Sequence, residues 1–219
     1  MFERPLTRRA WLGGAVVTAL GLAGLEARES DAASVSCILT PEQTEGPYYI
    51  AGEKLRRNIT EGRPGAAMLL RTFVTDASTC RPIRNAAVDI WHADAGGVYS
   101  AFGAGASNRT FMRGIQRTNA KGLASFRTVY PGWYQGRTVH IHVKVHVGGN
   151  VLHTGQLYFP DSVTDAVYRH TPYSARGSRD VRNANDSIYR SGGSRSTLSV
   201  KKNGAGLYIA TITMGVHRS

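Results

Sequence analysis

The run VHIHVKVHV, residues 139–147, alternates without a break. Side chains along a strand point to opposite faces in turn. Val139, Ile141, Val143, Val145 and Val147 therefore share one face, and His140, His142, Lys144 and His146 share the other. The valine face is a core face. A slip of one residue would exchange the two faces, so the run commits this stretch to a strand in one register. Same-face neighbours lie about 6.6 Å apart along a strand. The imidazoles of His140 and His142 can thus converge on one metal ion, although an HxH pair also fits a polar face that simply carries histidines.

Similar runs recur between turn residues. Residues 68–76 and 85–94 read as strands. Residues 111–118 and 123–132 flank Asn119–Gly122 and read as a hairpin, as do 139–147 and 151–159 around Gly148-Gly149-Asn150. Residues 206–216 form a late strand. One helix is expected over 160–170, with Asp161 or Ser162 as its cap. From His170 to Asn203 the chain turns polar and Arg-rich, an irregular excursion long enough to cover a site or a partner. Many short strands with few helices give an all-β class. The expectation is an antiparallel β-sandwich over residues 34–219, with long loops and at most one or two short helices.

Ahead of it, residues 1–33 read as a targeting segment. Arg8 and Arg9 precede an apolar run from Trp11 to about Leu25. That run is short and Gly-rich against the roughly 20 apolar residues of a membrane span. A twin-arginine-type signal is expected, with export to the periplasm or the cell exterior and no stable membrane span after cleavage. Such routes carry folded proteins, which suits a chain loaded with a cofactor beforehand. The two cysteines, Cys37 and Cys80, both fall in the exported part, where disulfides persist. A bridge between them is expected, worth about 4 kcal/mol on the chain-entropy model.

The net charge of +12 admits nucleic acid, an anionic surface or an acidic small molecule as partner. No nucleic-acid motif is present, so no specific nucleic-acid partner is expected. A field that steers acidic aromatic molecules is a further use of the charge. The surroundings of the histidine run are more selective. Residues 123–160 contain no Asp, Glu or Cys. Zinc in an enzyme would usually want a third histidine, a carboxylate or a thiolate, and ferrous iron in an oxygenase would want a carboxylate with its two histidines. Tyrosines are the oxygen donors on offer, Tyr134 among them, six residues before His140. A phenol ionises near pH 10 when free, so only a strongly acidic ion holds it as phenolate at neutral pH. Ferric iron is the natural candidate.

The stretches TPEQTEGPYYI (40–50), NAAVDIWHADAGGVYS (85–100), YPGWYQGRTVHIHVKV (130–145) and TGQLYF (154–159) together resemble the intradiol ring-cleavage dioxygenases. The resemblance runs from Cys37 to about Tyr168 and is closest to the short secreted members. It implies a non-haem Fe(III) centre held by Tyr99, Tyr134, His140 and His142. Two tyrosinates and one hydroxide would neutralise the trivalent ion, so the site could be partly desolvated. It further implies that a catechol-type substrate is opened between its two hydroxyl-bearing carbons, taking up both atoms of O2 to give a muconate-type diacid. Tyr134 would be the ligand that leaves on substrate binding and takes a proton. Arg137 would stabilise negative charge on the ring and Gln156 would bond near the iron, while Pro47 and Tyr48 would line the substrate cavity. His92 is read as structural, His146 and His153 as surface or turn residues, and Trp91 and Trp133 as core beside the metal. The competing reading is a non-catalytic exported module that keeps a metal for structure or carriage. Homo-oligomers are common in the family, but no interface is legible.

Overall fold

The computed structural model describes residues 38–217. The expected signal segment 1–33 and Cys37, hence the expected Cys37–Cys80 bridge, lie outside the described residues. Eight strands form two four-stranded sheets: β1 (Ala67–Asp76), β2 (Ala87–Trp91), β3 (Arg113–Arg117), β4 (Leu123–Val129), β5 (His140–Val147), β6 (Asn150–Tyr158), β7 (Ser199–Lys202) and β8 (Tyr208–Val216). The first sheet has the order β4-β1-β8-β7 and the second β3-β2-β5-β6. Between them lies the core. The first sheet contributes Leu70, Val74, Phe126, Ala210 and Met214, and the second Val88, Ile90, Ile141, Val143, Val145 and Leu157.

Three expectations change. The sandwich is not wholly antiparallel, because β1 and β8 pair in parallel from Met68↔Tyr208 to Asp76↔Val216. The segments around Asn119–Gly122 are not a hairpin: β3 pairs with β2 while β4 pairs with β1. The intervening turn, held by the Asn119 side chain accepting from the Lys121 and Leu123 amides, carries the chain from one sheet to the other. That switch lets Ala124 and Phe126 face the core from the opposite layer. Helix α1 (Asp161–Tyr168) starts at Pro160 with no side-chain cap. Asp161 instead accepts a hydrogen bond from Arg179 (2.5 Å), which removes it from capping.

The excursion 170–203 contains three short 3-10 turns, a one-turn helix α2 (Ser187–Arg190) and β7. Among the described residues no helix is long and apolar enough to cross a membrane.

The outward face of β5 is not open. His140 and His142 are as buried as the core residues Ile141 and Val143. A strap formed by residues 43–56 roofs them. It is pinned to one edge of the second sheet by Gln43 N–H donating to Thr154 O (3.0 Å). At the other edge Arg56 N–H donates to Ile115 O (3.0 Å) and Ile115 N–H to Lys54 O (2.9 Å). Both faces of this sheet are therefore covered, which explains why β2 is buried along nearly its whole length.

Candidate metal centre

The two histidines are placed by the sheet. His140 sits opposite Tyr158 and His142 opposite Gln156 on β6, and Trp91 of β2 lies opposite His142. The Trp91 ring stacks flat on His142, at 5.0 Å and 4°. Nδ1 of His140 lies 2.7 Å from Thr138 O. A carbonyl only accepts, so Nδ1 carries the proton and Nε2 presents a lone pair. That Nε2 lies 3.1 Å from Nε2 of His142. Burial pushes His140 down to about 3 and His142 well below the ordinary histidine range, with His140 and Arg137 adding to the effect on His142. Both imidazoles are neutral donors.

Gly46 closes the roof over them. A Cβ at this position would come 3.0 Å from Cε1 of His142, and the backbone there has φ +72. Both facts favour glycine, which accounts for the glycine of the EGPYY stretch.

Both tyrosines come from loops. Tyr134 opens a tight turn to Arg137, and the φ of 82 at Gly136 suits only glycine well. Asp180 accepts from the Gly136 amide at 2.7 Å. The Tyr134 hydroxyl reaches Nε2 of His140 at 3.1 Å. Tyr99 follows the turn 94–98, which Asp94 shapes by accepting from the Gly96 and Val98 amides (2.9 and 3.0 Å). Its ring lies 5.6 Å from that of Tyr134 and 6.2 Å from that of His142. Its hydroxyl is buried beside the Tyr134 phenol and makes no well-formed hydrogen bond. Burial, reinforced by the neighbouring Tyr134 phenol, raises Tyr99 well above the usual phenol range, and burial raises Tyr134 too.

This donor set fits a hard trivalent ion. Two nitrogens each about 2.1 Å from one ion at right angles lie about 3 Å apart, close to the observed separation. An unpaired buried hydroxyl costs about 1–3 kcal/mol, which a metal bond at Tyr99 would relieve. Among the described residues no group of three His, Cys, Asp or Glu side chains could hold a metal, and the phenols of Tyr99 and Tyr134 are the oxygen donors beside the two imidazoles.

Around the donors, Arg137 gives Nε to Asp186 (2.8 Å) and Nη2 to Gln156 Oε1 (2.5 Å). Gln156 donates in turn to Thr44 O (3.0 Å) and accepts from the Tyr158 hydroxyl (3.1 Å). A cavity of about 180 Å³ opens beside the tyrosines, lined by Tyr48, Gly97, Val98, Tyr99, Phe102, Gly103 and Tyr134. Tyr48 stacks on Tyr99 at 4.2 Å. Pro47 does not line this cavity: it is exposed at the tip of its turn, because the turn directs Tyr48 inward instead.

His92 is fully buried, bonded to Ala93 O and Thr128 Oγ1 (both 2.8 Å), and burial holds it down to about 4. Both of its ring nitrogens are occupied by these contacts. His146 is half-buried, whereas His153 is buried rather than at the surface, with Nε2 unpaired, because it lies opposite Val145 and shares the inward face of β6 with Leu157. Trp133 is half-buried beneath the Arg176 guanidinium (4.5 Å).

Sequence reasoning missed Asp186, Arg113, Thr138 and Tyr158. Asp186 lies in the Arg-rich excursion and accepts from Arg137 and from the Thr138 amide (2.9 Å). No local pattern marks it.

The family model described as Dioxygenase matches residues 44–177. An intradiol ring-cleavage dioxygenase from Tetranychus urticae superposes with a TM-score of 0.79 at 34% identity, covering 83% of this chain and 95% of that one. The dioxygenase domain of a carbohydrate-binding fusion from Streptomyces sp. SirexAA-E gives a TM-score of 0.64 at 30% identity, covering 83% and 100%. Catechol 1,2-dioxygenase 2 from Acinetobacter lwoffii is 36% identical over 107 residues, 45% of this chain; the match spans only 38% of that relative's length. A match over well more than half of the chain, centred on the strands and loops that bring these phenols and imidazoles together, places this protein in the intradiol ring-cleavage dioxygenase family.

Proposed function

We propose that the protein is a non-haem ferric dioxygenase. It opens the ring of a catechol-type substrate between the two hydroxyl-bearing carbons and incorporates both atoms of O2. The observation that carries this reading is the convergence of Tyr99, Tyr134, His140 and His142, with the Nε2 atoms of the histidines 3.1 Å apart and a phenol at the same distance. Those four residues would hold the iron, which when bound supplies Lewis-acid and template chemistry.

The chain's own groups define the rest. The Tyr134 hydroxyl, at the cavity wall, is placed to accept a substrate proton at its oxygen once ionised. The aromatic walls of Tyr48, Phe102 and Tyr99 receive a flat ring and exclude water from one face. Arg137, oriented by Asp186 and Gln156, supplies a fixed positive charge beside the site. Such a charge stabilises negative charge that develops on the ring without reorganising. Thr138 O holds the His140 tautomer, as outer contacts to metal-binding histidines do.

Aerobic turnover of a catechol panel by iron-loaded protein tests this, followed by oxygen uptake and product mass. The expected product is heavier than the substrate by two oxygen atoms. Iron-loaded protein that consumes no oxygen with any catechol would instead favour a non-catalytic metal module. Export through the Arg8–Arg9 segment is part of the same proposal and is checked by locating the protein in cell fractions.

A further inference from the structure

Arg113 has no place in the donor set, yet it is 1% exposed. Its guanidinium leaves β3 and makes three bonds. Nη1 donates to the Tyr48 carbonyl (2.6 Å), Nη2 to the Ser100 carbonyl (2.9 Å) and Nε to Ser100 Oγ (2.9 Å). Glu53 is its only ion-pair partner among the described residues, at a loose 3.8 Å. A charge buried this far is tolerated when its hydrogen bonds are well made.

The partners are themselves held. Ser100 Oγ donates to Phe111 O at 2.7 Å, leaving its lone pairs for Arg113. Arg56 donates to the Arg113 carbonyl from Nε (3.0 Å) and Nη2 (2.8 Å). Just past Ser100, Ala101 has φ 68, a conformation that non-glycine residues keep only when their surroundings enforce it.

We propose that Arg113 is a positioning residue that couples the substrate wall to the ligand loop. One side of its fork fixes the strap at Tyr48, and the other fixes the loop at Ser100, immediately after Tyr99. Tyr48 and Tyr99, stacked at 4.2 Å, are thereby set relative to each other through one rigid planar group. Lysine keeps the charge but lacks the fork.

Hydrogen exchange of the metal-free protein tests the coupling independently of activity. Arg113→Lys is expected to speed exchange about tenfold or more in both 44–52 and 97–106, the effect of losing one charge-assisted bond, with 140–147 unchanged. Ser100→Ala touches only the loop, so faster exchange at 44–52 in that variant is the signature of transmission through Arg113. Acceleration confined to 97–106 in Ser100→Ala, or to fewer than both segments in Arg113→Lys, overturns the proposal. If Arg113→Lys does not fold, Ser100→Ala decides alone. A kinetic arm rests on the ring-cleavage reading: KM for a catechol should rise about tenfold in Arg113→Lys, with kcat changing less and the visible phenolate-to-iron band shifting. Absence of that band in the iron-loaded parent protein would sink the ring-cleavage reading and leave the exchange result standing.

Discussion

The histidine half and the tyrosine half of the site are built in different ways. His140 and His142 are same-face neighbours on β5, which is paired on both sides by β2 and β6. Many ladder bonds fix them and no single contact decides their place. Tyr99 and Tyr134 sit on loops. Their positions depend on a few polar contacts: Asp94 within the turn before Tyr99, and, from farther along the chain, Arg113, Asp180 and, through Arg137, Asp186. A sheet supplies rigid donors at low risk. Loops place side chains that can adapt, but each depends on specific partners.

The sharpest way to break the contrast is to delete one donor from each half. His142→Ala should abolish iron retention and lower turnover by well over a hundredfold, beyond the 10–100-fold typical of outer contacts. Tyr134→Phe should retain part of the iron while losing much of the visible band. Metal analysis and absorption spectra of the two variants check this, and equal iron loss in both would erase the distinction.

Asp186→Asn probes the loop half without touching a donor. Arg137 would lose its charged anchor and the Thr138 amide its carboxylate acceptor. Turnover is expected to fall about 10–100-fold with iron content unchanged. The oxygen electrode and metal analysis report the two quantities separately, and unaltered turnover would mean that Gln156 alone orients Arg137.

The smallest effect is expected beneath the strap on the sheet side. Asp89 of β2 is buried, with the Tyr49 hydroxyl beside it and Glu53, Lys144 and Arg113 facing it. Burial, then the charge of Glu53, pushes it up to about 7. The folded state therefore holds this proton more tightly than the unfolded chain, where a carboxyl titrates near 4. Stability is full below about pH 4 and is lost as pH rises through 7. Asp89→Asn should flatten that slope and raise the melting temperature by a few degrees at pH 8. Melting curves across pH show it, and a slope identical to the parent's would acquit Asp89.

What could be read in the sequence follows the same division. The alternation of 139–147 gave the register and the core face, and the resemblance of the surrounding motifs to a known family pointed to Tyr99, Tyr134, Arg137 and Gln156. Periodicity is local, and a strand displays it. Asp186 left no trace because its partner Arg137 is 49 residues away and its neighbours are polar without period. Arg113 reads as an ordinary strand residue, since nothing local shows that its guanidinium spans two loops. The parallel pairing of β1 with β8 and the sheet switch after β3 were hidden for the same reason: turn residues show where a chain reverses, not which layer it enters.

That parallel pairing also bears on how quickly the two sheets can form. All four strands of the histidine-bearing sheet lie within residues 87–158, so short loop closures suffice to build it. Its companion must wait for residues 208–216 to reach back to 68–76, a long closure of the kind that slows folding. On a ribosome the imidazole strand can find its neighbours while the opposite layer still lacks a member, and the apolar interior stays unsealed until the final strand arrives.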